Sequence, residues 1–167
     1  MSSVVSAFPL RYLPKSITKK DAKKYKKEIE KSRKLYKKKR YYTRKHIKSF
    51  KNKKSNHITK AQKLYNVDKI IPNKELSEKT GCSIDGLEKI VSKGRGAYFS
   101  SGSRPNQTPE SWGLARLASA ITSGKSAVVD FKILKSSCKK NSKALRLAKN
   151  AVKKYGKTLR KTPKRLL

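Results

Sequence analysis

The chain has 167 residues, with 46 Lys or Arg against 10 Asp or Glu, for a formal net charge of +36. At 35% hydrophobic residues it can build a core, but not one spread over its whole length. No apolar run approaches the ~20 residues of a membrane span, and such a charge excludes a self-sufficient chain: it calls for a polyanion or an acidic neighbour.

The charge is uneven. Residues 1–60 hold 22 basic and 3 acidic residues, residues 61–134 hold 11 and 7, and residues 135–167 hold 13 and none. The expected organisation is an N-terminal arm (1–17), a basic helix (18–40), a central domain (41–134) and a basic C-terminal helix with its tail (135–167). The opening MSSVVSAFPL lacks the basic start and long apolar stretch of a secretory signal and reads as an arm.

Ser16 or Thr18 can cap a helix over 19–39, with Ala22, Tyr25, Ile29 and Tyr36 as one narrow apolar stripe. Its end packs seven basic residues into ten positions: Lys31, Arg33, Lys34, Lys37, Lys38, Lys39 and Arg40. Charge runs are usually solvated faces. At this density solvation leaves severe repulsion, which favours a bound polyanion or acidic partner. Over 41–60, Tyr41, Tyr42 and Phe50 alternate with bases. Rings between cations can stack on unpaired nucleobases, although satellite core residues are the preferred reading. His46 and His57 lack the companions of a metal site.

A short helix is predicted over 58–65. Asn73 can cap the next, and Gly81 suits the positive φ of its end. Ser83 can cap a further helix carrying Leu87, Ile90 and Val91 and ending at Gly94. This helix–turn–helix spacing places Ile84, Asp85, Glu88 and Lys89 outward. It fits a DNA reader and a plain helical hairpin equally. Gly94, Gly96 and Gly102 suggest a β-prone turn around 97–101, without the spacing of a phosphate loop. Gly124-Lys125-Ser126 resembles the end of a Walker motif, but its first Gly would stand where Ser119 stands.

Thr108-Pro109-Glu110 is a marked helix start. Leu114, Leu117, Ala118 and Ile121 form the helix's apolar face, with Trp112 near its beginning. Arg104 and Arg116 flank it, to grip phosphate or an acidic neighbour, or to pair with Glu110 and Asp130. Residues 127–134 alternate, with Val129, Phe131 and Ile133 on one face, and are predicted as a strand. The helix over 141–155 carries Ala144, Leu145, Ala148, Ala151, Val152 and Tyr155 on one side. Arg146, Lys149, Lys153 and Lys154 are its basic contact candidates. Cys82 and Cys138 are expected as free thiols, because Lys-rich chains usually work in reducing compartments. The expected fold is therefore mostly α with a small β element (α+β): short helices and one hairpin or strand pair, flanked by long basic helices and arms.

No nucleophile–base pair, carboxylate pair or metal cluster stands out, so neither catalysis, a cofactor nor a small-molecule substrate is expected. One resemblance is specific. Gly94, Gly96, Ala97, Tyr98, Arg104, Pro105, Trp112, Ala115, Arg116 and Ser119 form a pattern that resembles an uncharacterised domain of large DNA viruses of the chlorovirus and mimivirus-like group. A shorter version occurs in tailed phages. The similarity covers roughly residues 41–134, and within it Gly94, Gly96, Tyr98, Pro105 and Trp112 are expected to anchor the fold. It implies a viral setting. Joined to the basic flanks, it leads to the expectation of a minor capsid protein on the inner side of the virion shell. Its partners would be other capsid proteins, with nucleic acid or an anionic membrane surface as further contacts. The alternative is a DNA-binding or DNA-condensing protein packaged with the genome.

Overall fold

The computed structural model describes residues 7–156 and 163–166. The expected extreme N-terminus of the arm (1–6) and most of the basic tail (157–162 and 167) lie outside these. The fold is mostly α. Among the described residues there are eight helices and one antiparallel pair of short strands. The chain divides into two compact units. Among the described residues, the first comprises 7–53, 96–109 and 163–166, the second 54–95 and 110–156. The stretch 41–134 thus contributes to both, and neither basic helix is an appendage to it.

In the first unit, β1 (Phe8–Pro9) pairs with β2 (Lys164–Arg165), Phe8 opposite Arg165. Helix α1 (Lys19–Lys37) starts where the Thr18 hydroxyl accepts a bond from the Asp21 N–H at 3.1 Å, filling one of the donor positions every helix start leaves open. Its buried residues are Ala22, Tyr25, Ile29 and Ser32, at spacings of three and four. It ends in a Schellman closure. The N–H groups of Lys39 and Arg40 donate to the carbonyls of Tyr36 (2.9 Å) and Leu35 (2.9 Å), and Lys39 takes φ 58°. The chain then runs back along α1. Glu28 accepts from the Tyr42 hydroxyl (2.7 Å) and the Lys45 N–H (3.2 Å), and Asp21 accepts from the Ser49 N–H (3.0 Å). Asn106 bonds both the N–H and the carbonyl of Ile47, at 2.6 and 3.1 Å.

The second unit holds α2 (Asn56–Tyr65), α3 (Lys74–Thr80), most of α4 (Ile84–Ser100), α5 (Pro109–Ala120), α6 (Lys125–Val129), α7 (Phe131–Ser137) and α8 (Lys143–Tyr155). Residues 96–100 of α4 belong to the first unit. The core draws Leu76 from α3, Leu87, Ile90 and Val91 from α4, Leu117 and Ala118 from α5, Leu134 from α7, and Ala144, Leu145, Ala148 and Ala151 from α8. Asn73 caps α3 and Ser142 caps α8, each through its side chain.

Three expectations are overturned. Gly94 does not end its helix, and 97–101 is not a β-prone turn: α4 continues to Ser100. The glycines serve packing instead. A Cβ on Gly94 would come within 2.5 Å of the Gly113 Cα, and one on Gly113 within 2.6 Å of the Val91 carbonyl oxygen, so α4 and α5 meet backbone to backbone. Residues 127–134 are helical, split between α6 and α7. The buried positions are Ala127, Asp130 and Leu134, a three-and-four spacing, while Val129 is exposed. The alternation misleads because the polar Asp130 lies inside. Finally, Cys82 and Cys138 are joined in a disulfide, and their backbones form an isolated antiparallel bridge. Bonds from Ser83 N–H to the Ser137 carbonyl (2.8 Å) and from Lys139 N–H to the Gly81 carbonyl (2.9 Å) set the two cysteines opposite each other.

Candidate nucleic-acid interface

Six lysines of α1 stand at alternating spacings of four and three: Lys20, Lys24, Lys27, Lys31, Lys34 and Lys38, the last at the helix cap. That spacing keeps them on one side of the helix, over a length of about 27 Å at 1.5 Å per residue. All six are exposed. Ala22, Tyr25, Ile29 and Ser32 occupy the opposite side and fix which way the lysines face.

Two of the three acids in this unit are bonded to the returning segment. Asp21 and Glu28 turn toward the returning segment 42–49, where backbone and hydroxyl donors occupy them. Hydrogen bonds from Ser49 hold the Asp21 carboxyl below its ordinary range. The Glu28 carboxylate and burial push the Tyr42 hydroxyl up to about 12. Glu30 is exposed beside Lys23, Lys26 and Lys27 around a shallow hollow. The ion pairs found among the described residues all belong to the second unit: Lys93 and Arg116 with Asp130, and Arg95 with Glu88 and Glu110.

The contact candidates divide accordingly. Lys34, Lys37, Lys38, Lys39 and Arg40 are exposed, and Lys31 is exposed with its ammonium 4.3 Å from the Tyr42 ring centroid. Arg33 is a fastener: its Nε donates to the Ser101 carbonyl at 2.7 Å and its guanidinium lies 4.8 Å from the Phe8 centroid. Arg104 is exposed, and its carbonyl accepts from Tyr25. Arg116 forms a two-pronged pair with buried Asp130, at 2.8 and 2.7 Å, and is no phosphate grip. Glu110, its other proposed partner, is held by Arg95 instead. In the second unit Arg146, Lys149, Lys153 and Lys154 lie on the exposed side of α8.

Of the expected anchors, Gly94 and Gly96 lie within α4, Tyr98 and Pro105 are buried, and Trp112 is half-buried on α5. Ile84, Asp85, Glu88 and Lys89 are exposed on α4. The turn before them is tied by the Cys82–Cys138 disulfide, and Glu88 is paired with Arg95.

Two features escaped the sequence reading. One is Arg44, buried and bonded to the Tyr25 hydroxyl (3.2 Å), the Ser32 hydroxyl (3.0 Å), the Tyr98 carbonyl (2.6 Å) and the Ser103 hydroxyl (2.7 Å). Its partners lie 12 to 59 residues away, so no local pattern marks it. The other is a surface cluster of Tyr36, Tyr41 and Phe99. The Tyr41-Tyr42 pair inside a cationic run is its signal in the sequence, and Tyr41 is exposed rather than the satellite core residue expected.

Residues 9–141 match the model described as Family of unknown function (DUF5824). No curated protein and no solved structure matches the chain. The match spans most of the chain, including α1 and its returning segment as well as α2 to α7, and the chain belongs to this family of unknown function.

Proposed function

We propose that this is a non-enzymatic protein that binds nucleic acid through its phosphate backbone, without sequence preference. The observation that carries the reading is the α1 stripe, six exposed lysines on one side of the helix against three acids in the unit, two of them bonded to the returning segment. Regularly placed lysines on a packed helix suit a line of phosphates, and the counterions released on contact supply the driving force. The exposed lysines of α8 add a second cationic face of the same kind. In the virion that the viral resemblance implies, such a protein ties genome to the inner side of the shell. The role of a minor capsid protein cementing its neighbours depends more on free arms. The packing of α1 and α8 into the two units moves the weight to the helix faces and to nucleic acid.

Any chain of this charge binds DNA weakly, so the test compares positions. Lys24, Lys27, Lys31 and Lys34 are replaced together by Gln. In a control of equal charge, Lys74, Lys79, Lys89 and Lys132 are replaced instead. Affinity for a duplex is measured by anisotropy across a salt series. The stripe variant should lower the slope of log affinity against log salt by about 3 to 4, and the control by far less. Equal losses in the two variants would sink the assignment.

A further inference from the structure

Just beyond the stripe, the closure at Lys39 reverses the chain and lays Tyr41 against two other rings. The Tyr36 and Phe99 rings are nearly parallel (8°), with centroids 6.2 Å apart. Tyr41 leans on both, at 6.1 and 5.2 Å, and remains 71% exposed. A large ring left this open has a cost in water that its two contacts only partly offset. The four residues between Tyr36 and Tyr41 are Lys37, Lys38, Lys39 and Arg40, all exposed.

Phe99, one of the three rings, is backed by buried side chains. Phe99 meets the buried Tyr98 ring edge to face, at 5.2 Å and 88°, and Tyr98 lies against the Arg44 guanidinium at 3.7 Å. The Arg44 backbone N–H donates to the Tyr98 hydroxyl at 2.9 Å. A ring fixed in advance in this way loses little side-chain entropy when a flat partner docks.

We propose that Tyr36, Tyr41 and Phe99 form a stacking platform for the unpaired bases of a single-stranded nucleic acid, with the phosphates carried by Lys37–Arg40. The proposal rests on the nucleic-acid reading above and narrows it from polyanion to single strand. Aromatic faces bordered by cations are the combination single-strand binders use: the π-face takes any base, and the cations follow the backbone. Duplex bases are already stacked on one another and offer this platform nothing. An acidic protein or a lipid headgroup would use the cations and leave the rings idle.

The test uses the full chain with a single-stranded oligonucleotide and its duplex at one salt concentration. Tyr41→Ala, at an exposed position, should weaken single-strand binding about tenfold and leave duplex binding within about twofold. Tyr41→Phe should retain the single-strand affinity, and oligonucleotide should quench tyrosine fluorescence in the parent more than in Tyr41→Ala. Unchanged single-strand affinity in Tyr41→Ala, or equal losses for both ligands, would overturn the platform. The lysine-stripe variant separates the two claims. If it weakens both ligands while Tyr41→Ala weakens neither, the platform falls and the nucleic-acid reading stands. If the parent binds neither ligand, both fall.

Discussion

The guanidinium of Arg44 lies 3.7 Å from the centroid of the Tyr98 ring and donates to the carbonyl of the same residue at 2.6 Å. One side chain thus fastens both the ring and the backbone of the last turns of α4. Its four acceptors are all neutral: two serine hydroxyls, a tyrosine hydroxyl and a carbonyl. A buried cation held this way depends on the planar, forked geometry of its donors.

Arg44→Lys should therefore not be conservative. An ammonium has three donors from one point and cannot span Ser32, Tyr98 and Ser103 together. The loss is expected to be about 3 kcal/mol, since each bond to a charged group contributes roughly 1.5 to 3 kcal/mol and some are kept. Chemical denaturation would read it. An unchanged midpoint would show that the hydroxyls find other partners.

Sequence logic recovered what is local. Thr18 and Asn73 cap helices as their side chains suggest, Gly81 takes φ 78°, and Ala22, Tyr25 and Ile29 line the buried side of α1. It failed where a distant residue decides. Asp130 looks like the outward residue of a strand until Arg116, fourteen positions earlier, draws it inward. Gly94 looks like a helix stop until Gly113 needs the space its side chain would fill. The lysine stripe was legible as charge, but the occupation of Glu28 and Asp21 by Tyr42, Lys45 and Ser49 was not.

The Tyr42–Glu28 bond predicts an alkaline signature. In the folded chain the Tyr42 hydroxyl is pushed up to about 12 from an ordinary value near 10, first by its bond to Glu28 and then by burial. A raised folded value favours the protonated form. This group's contribution to stability is therefore complete below pH near 10 and is lost as the pH climbs through about 12. Glu28→Gln should move the Tyr42 value down and shrink the alkaline loss. Tyrosinate absorbance titrated in both proteins checks the first point, and denaturation at neutral and alkaline pH checks the second.

Cys82 and Cys138 enclose a separation of 56 residues, taking in α4, α5, α6 and α7. By chain-entropy arithmetic a loop of that length stabilises by about 4 kcal/mol. Reduction, or the double substitution to Ser, should lower the thermal midpoint clearly. The buried Ala144, Leu145 and Ala148 of α8 should keep the far-ultraviolet helical signal at room temperature. No shift on reduction would mean that the backbone bridge between the two cysteines carries the joint.

The two glycines of the Gly94-x-Gly96 pair should respond oppositely to the same substitution. Gly94→Ala places a methyl within 2.5 Å of the Gly113 Cα, where only backbone can give way. Overpacking of this kind costs about 2 kcal/mol. Gly96→Ala meets nothing nearer than the Tyr36 hydroxyl at 3.7 Å, an ordinary contact. Within α4 it should gain up to ~1 kcal/mol, because alanine loses less backbone freedom than glycine on entering a helix. Denaturation midpoints of the two variants are expected on either side of the parent. If both fell, the backbone around Gly96 would need a freedom that its helical position does not explain. If both rose, the close approach of α4 to α5 would be absent in solution.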